Sequence, residues 1–154
     1  MKTTEENYKY SYVMLIDDIE LDNFINEKLI KTYNFSKDVY VNNSATGALE
    51  FLHTITSNNG ALPKIYPEVI FVDINMPIVD GFQFINSFRE IFQQHILKPK
   101  IVILTSSVAR IDREKTVFIS DEIIFLNKPL TKEMLDLIWF ILFRNPPGHV
   151  GLSW

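Results

Sequence analysis

Residues Glu68 to Gly81 read EVIFVDINMPIVDG, and the first half of that block restricts the fold more than any other stretch. Val69, Ile70, Phe71 and Val72 form an unbroken apolar run, too short for a helix and rich in β-branched side chains. Such a run suits a strand covered on both faces, as in a parallel sheet. It stops abruptly on a carboxylate, Asp73, and continues in loop chemistry: Asn75, Met76-Pro77 and the turn dipeptide Asp80-Gly81. An acid at the end of a buried strand is costly without a partner. The carboxyl ends of parallel strands are also where open α/β sheets place ligands.

The same grammar recurs along the chain. Tyr12 to Ile16 is a short apolar run ending on Asp17-Asp18, followed by Leu21, Phe24, Ile25, Leu29 and Tyr33 at helical spacing. Val39 to Val41 is a weaker strand, and Ser44 is placed to cap a helix carrying Ala48, Leu49, Leu52 and Ile55. Ser57 to Pro67 is the loosest piece, a surface connection. After the Asp73 strand comes an amphipathic helix from Phe82 to about Phe92, broken by Lys98-Pro99-Lys100, with Phe82 or Phe84 expected to be partly exposed. Ile101 to Leu104 is a further buried strand ending on Thr105, Ser106 and Ser107. Residues 109–115 read as a short exposed helix, Ile123 to Leu126 as a fifth strand, and Thr131 as the cap of a last helix whose Leu135, Ile138, Trp139 and Leu142 share a face. Strands alternating with helices predict an α/β fold with helices on both faces of a parallel sheet. Asp17, Asp18, Asp73, Thr105 and Lys128 then emerge on one edge.

The length fits one domain over residues 1–145, with a core of about 11–144 and a short tail at 146–154. A net charge of −4 supplies no basic stripe for nucleic acid. The absence of cysteine excludes disulfides, thiolate metal sites and a cysteine nucleophile. The polar N-terminus has no signal-peptide core, and no apolar run reaches the length of a membrane span, so a cytoplasmic chain is expected.

Three carboxylates on one edge repel one another. At about 4 Å and an effective dielectric near 20, each pair costs on the order of 4 kcal/mol. A hard divalent cation removes that cost, and an oxygen-only set favours Mg²⁺, or Mn²⁺ in its place. Lys128 adds a point charge suited to phosphoryl oxygens, and the Thr105 hydroxyl can donate to one. Carboxylate nucleophile, metal, lysine and hydroxyl together describe an aspartyl-phosphate site.

With these residues in place, the chain resembles the receiver domain of two-component response regulators. The resemblance runs from about Tyr12 to Phe143 and rests on Asp17-Asp18, the D-x-N-M-P-x-x-D-G block from Asp73 to Gly81, Thr105-Ser106, and Lys128-Pro129. It implies a flavodoxin-like fold with strand order 2-1-3-4-5, an order given in general terms for a chemotaxis member of the family. It implies that Asp73 accepts the phosphoryl group, that Asp18, Asp73 and the Asn75 backbone carbonyl bind Mg²⁺, and that Asp17 acts through water. Thr105 and Lys128 would bind the phosphoryl group, Phe125 would be the switch aromatic paired with Thr105, and the Lys128-Pro129 bond would be cis. The implied partners are a sensor histidine kinase or histidine phosphotransfer protein and an unidentified downstream protein. The chain would signal by protein contact or phosphorelay, as a monomer or weak dimer, with no effector domain in the residues after Pro129.

The chain also departs from the family. Phe125 stands where Tyr is commoner, and Phe118-Ile119-Ser120-Asp121-Glu122 replaces the usual Gly-Ala before the fifth strand. Two other classes share part of this pattern. A haloacid-dehalogenase-like phosphatase also uses a strand-end aspartate with Mg²⁺, but needs a second Asp where this chain has Asn75. A flavin binder needs a hydroxyl-rich phosphate loop after the first strand, and Asp17-Asp18 stands there instead.

Overall fold

In the computed structural model, residues 7–57, 63–106 and 123–144 are described. They form β1 (Tyr10–Ile16), α1 (Glu20–Thr32), β2 (Ser36–Asn42), α2 (Ala45–Thr56), β3 (Val69–Val72), α3 (Gly81–Phe92), β4 (Lys100–Thr105), β5 (Ile124–Asn127) and α4 (Lys132–Arg144). The five strands make one parallel sheet in the order β2-β1-β3-β4-β5. The expected doubly wound, flavodoxin-like order is therefore the observed one. Residues 109–115, expected as a helix, lie outside the described residues, as do Ser107, residues 118–122 and the tail at 146–154.

The unbroken apolar runs have a simple cause. Successive strand residues point to opposite faces, and both faces are covered. Met14, Ile16, Ile70, Val72 and Ile103 pack with Leu52, Phe84 and Phe88 of α2 and α3. Val13, Leu15, Phe71, Val102 and Leu104 pack with Ile30 of α1 and Leu135, Ile138 and Leu142 of α4. Phe84 is fully buried, and of the expected pair Phe82 is the partly exposed one.

The caps read from sequence are present. Ser44 Oγ accepts from the Gly47 amide at 3.1 Å, and Thr131 Oγ1 from the Met134 amide at 3.2 Å. Asp80, expected only as a turn residue, also closes a capping box with Gln83, each donating a backbone N–H to the other's side chain at 2.9 Å.

The face of α1 needs correction. Its helical spacing pointed to Leu21, Phe24, Ile25, Leu29 and Tyr33 as the buried side. Instead Asn23, Asn26 and Ile30 are buried, Leu29 is half-buried, and Leu21, Phe24, Ile25 and Tyr33 are exposed. The reason lies at the strand ends. The first turn of α1 lies against the ends of β1 and β2, and the Asn23 amide donates to the carbonyls of Asp17 at 2.8 Å and Asn42 at 3.4 Å. A leucine at that position would remove the side-chain donor to the Asp17 carbonyl, and buried polar groups are costly without a partner.

Candidate functional site

Strand order builds the site. β1 and β3 are neighbours, and the Asp73 amide donates to the carbonyl of Ile16 at 3.0 Å. Asp17 and Asp73 therefore follow the last residues of adjacent strands, and both are buried, whereas Asp18 is exposed. One carboxylate oxygen from each of Asp17, Asp18 and Asp73 lies within 4.8 Å of the others.

Lys128 follows β5 and reaches across the sheet edge to this group. Its Nζ stands 2.5 Å from Asp17 Oδ2, 2.8 Å from Asp22 Oδ2 and 3.7 Å from Asp73 Oδ2. Burial alone would lower the lysine pKa, but the hydrogen bonds to Asp17 and Asp22 and the charges of Asp73 and Asp17 outweigh it. The ammonium is held above the usual lysine range, so it stays charged throughout the physiological range. The Lys128-Pro129 peptide is cis, as the resemblance implied.

The loop after β3 is tightly folded. Asp73 Oδ1 accepts from the Asn75 amide at 3.4 Å, and the Gly81 amide donates to the carbonyl of Ile74 at 2.9 Å. Ile78, at the tip, is 94% exposed and has φ 69, a left-handed conformation that β-branched residues avoid.

Asp17, Asp18, Asp73 and Lys128 thus converge as the sequence predicted. Asn75 is exposed beside Asp73. Thr105 closes β4, its backbone in register with Asn127, while its side chain lies outside the described residues. Phe125 is half-buried on β5 against the α2–α3 side of the core, in register with Ile103. Two residues escaped the sequence reading. Asp22 and Asn23 both face the site from the first turn of α1. Both stand on the polar side of that helix, where the sequence pattern does not distinguish a residue facing the site from one facing solvent.

Three clustered carboxylates, two of them buried, offer the oxygen donors a hard divalent cation takes, and the Lys128 ammonium lies against Asp17 and Asp73. They fit Mg²⁺, which would neutralise the acidic group and draw in a phosphoryl oxygen.

The sequence matches the response regulator receiver domain family over residues 13–138. The chain is similar to a two-component response regulator from Cytophaga hutchinsonii, with 27% identity, a TM-score of 0.75, and 87% of this chain and 97% of that one covered. It is also similar to a response regulator receiver protein from Dyadobacter fermentans, with 25% identity, a TM-score of 0.70, and coverage of 90% and 98%. The receiver domain of the histidine kinase CKI1 from Arabidopsis thaliana, complexed with Mg²⁺ and BeF₃⁻, shares the fold at 20% identity, with a TM-score of 0.68 and coverage of 85% and 89%. No curated protein sequence matches the chain. Among the described residues no helix is long and apolar enough to cross a membrane. The acidic edge, the strand order and the family match converge on one assignment: this chain belongs to the response regulator receiver domains, phosphorylation-dependent signalling modules that bind Mg²⁺ at such a cluster.

Proposed function

We propose that Asp73 is the residue that takes the phosphoryl group, from a phosphohistidine on a histidine kinase or phosphotransfer protein. The observation carrying this reading is the placement of Asp73. It is buried at the end of the central strand, in the carboxylate cluster, with Lys128 Nζ 3.7 Å away. A carboxylate oxygen of Asp73 attacks phosphorus, the P–N bond to the donor imidazole breaks, and its electron pair returns to the ring nitrogen. Lys128 offsets charge on the phosphoryl oxygens, and Thr105, at the end of β4, is the proposed hydrogen-bond donor to them. Asp18, Asp73 and the Asn75 carbonyl would hold Mg²⁺ directly, with Asp17 acting through water. Phosphorylation then repacks Thr105 and Phe125, and the protein signals by contact with a downstream partner, as a single cytoplasmic receiver domain.

The exposed side of α1 supports a protein donor. Phe24 is 63% exposed and Leu21 equally so, and Ile78 stands out from the loop after Asp73. Apolar side chains beside the mouth of a charged site offer a docking surface to the donor that must approach it.

The test is mass spectrometry after incubation with acetyl phosphate and Mg²⁺. An adduct is expected on the wild type, absent in EDTA and absent from Asp73→Asn. An adduct of equal yield in EDTA, or one surviving Asp73→Asn, would sink the reading.

A further inference from the structure

Lys128 has a partner that the phosphoryl chemistry does not require. Asp22 Oδ2, on the first turn of α1, lies 2.8 Å from its Nζ, nearly as close as Asp17 at 2.5 Å and closer than Asp73 at 3.7 Å. Among the described residues, the carboxylate oxygens close enough to share a cation come from Asp17, Asp18 and Asp73, and Asp22 stands outside that group.

This arrangement sets up a competition. A divalent cation, held directly by Asp73 and through water by Asp17, competes with the Lys128 ammonium for both carboxylates, and two positive charges in one place repel. If Asp17 and Asp73 were the only anchors, each cation bound would have to displace the lysine outright. Asp22 changes that balance, because it offers the ammonium a carboxylate the cation does not contest. Its placement is fixed: the neighbouring Asn23 amide ties this turn of α1 to the Asp17 carbonyl at 2.8 Å and to Asn43 Oδ1 at 3.2 Å. The Asp22 side chain also keeps more solvent contact than that of Asp17, 32% against 6%, so holding a charge there costs less dehydration.

We infer that Asp22 is a positioning residue, whose ion pair holds Lys128 to one side, leaving Asp17 and Asp73 to the divalent cation while keeping the ammonium within reach of a phosphoryl group on Asp73. The inference rests on the aspartyl-phosphate reading above. An acid in the first turn of a helix also interacts favourably with the helix dipole, so the test must isolate the part that runs through Lys128.

Calorimetric titration with MgCl₂ does so, on wild type, Asp22→Asn, Asp22→Glu and Glu20→Gln, with Asp22→Asn repeated in a Lys128→Met background. Asp22→Asn is expected to weaken Mg²⁺ binding roughly tenfold, at the low end for residues that orient a ligand group. Asp22→Glu should recover most of the loss. Glu20→Gln removes a neighbouring exposed first-turn charge and should change binding less than about twofold. In the Lys128→Met background, Asp22→Asn should likewise add less than about twofold, because the group it positions is gone. In Mg²⁺-loaded protein, the ¹⁵N signal of the Lys128 ammonium should shift with Asp22→Asn and not with Glu20→Gln. Urea midpoints establish that each variant is folded. A wild type that binds no Mg²⁺ would defeat the aspartyl-phosphate reading itself. A wild type that binds, with equal losses from Asp22→Asn in both backgrounds or no loss in either, would overturn the positioning role alone.

Discussion

Gly81 opens α3 against the backbone that carries Asp73, and replacing it with alanine tests how closely that contact is packed. A Cβ there would lie 2.6 Å from the Asp73 carbonyl oxygen and 2.7 Å from Ile74 Cα. Both are backbone atoms, so no side chain can swing aside. Ordinary contact begins at 3.4 Å, so the helix end and the loop must part by roughly 0.8 Å. Overpacking of this kind costs about 1–3 kcal/mol, against which the better helix propensity of alanine returns at most about 1 kcal/mol. A net loss of about 1–2 kcal/mol follows. Gly47 is the control, because its nearest neighbour is the Ser44 hydroxyl at 3.2 Å, a side-chain atom that need yield only a few tenths of an ångström and can keep its cap bond to the Gly47 amide. Gly47→Ala should stay within about 0.5 kcal/mol of wild type. Urea unfolding followed by circular dichroism and linear extrapolation reads both values. Gly81→Ala should also slow acetyl phosphate uptake in fully folded protein, since the displaced atom belongs to Asp73 itself. A Gly81→Ala protein as stable as Gly47→Ala would refute the reasoning.

Three further outcomes follow from the structure. Ile78→Asn should stabilise the fold by about 1 kcal/mol in the same urea assay, because Asn accepts the left-handed conformation and the exposed isoleucine loses no packing; a loss of stability would count against strain at that position. Phe24→Asp should slow transfer from a phosphohistidine protein at least fivefold (about 1 kcal/mol) while uptake from acetyl phosphate continues at the wild-type rate, and parallel losses with both donors would remove α1 as the docking side. Burial raises the pKa of Glu68, and the hydrogen bond from the Ser11 amide only partly opposes this. The folded state therefore favours the protonated form, so its contribution is fully present below the unfolded pKa and lost as pH rises through the folded one. Glu68→Gln should be more stable than wild type at pH 7, with the difference closing toward about pH 4; a gap that widens in acid would reverse the assignment.

Much of this architecture could be read from residue order because the apolar runs and the chemistry that ends them are local signals. Val69 to Val72 suits a strand buried on both faces and is one, which places Asp73, immediately after it, at the sheet edge. β2 was harder to read, since SKDVYVN carries a mixed pattern and pairs on one side only, yet the strand is seven residues long. The face of α1 was misread because periodicity reports which side of a helix is apolar and not which side faces inward. Asn23 and Asn26 are inside because the sheet edge presents carbonyls and carboxylates there, a fact of tertiary placement. Asp22 was missed for the same reason: its partner lies 106 residues away.

The two halves of the site are held in different ways, and this bears on which of them can move. Asp17 and Asp73 are fixed by adjacent strands, through the β1–β3 ladder and the bond from the Asp73 amide to the Ile16 carbonyl. Lys128 follows β5, which is three strands from β1 in the sheet. At about 4.8 Å per strand that is about 14 Å, more than twice the reach of about 6 Å for a lysine side chain. Its contact with Asp17 therefore depends on the backbone after β5 turning over the ends of β4 and β3, where no ladder bond holds it. The carboxylates form the rigid part of the site and the ammonium its adjustable part. If Asp73 takes the phosphoryl group as proposed, the charge changes at the fixed partner, and the response would be taken up at Lys128 and passed to the strand that carries it. Phe125 lies three residues back on that strand, half-buried against the α2–α3 core. On the proposed reading, a charge change at one strand end would thereby reach side-chain packing on β5, the kind of two-position element on which a phosphorylation switch depends.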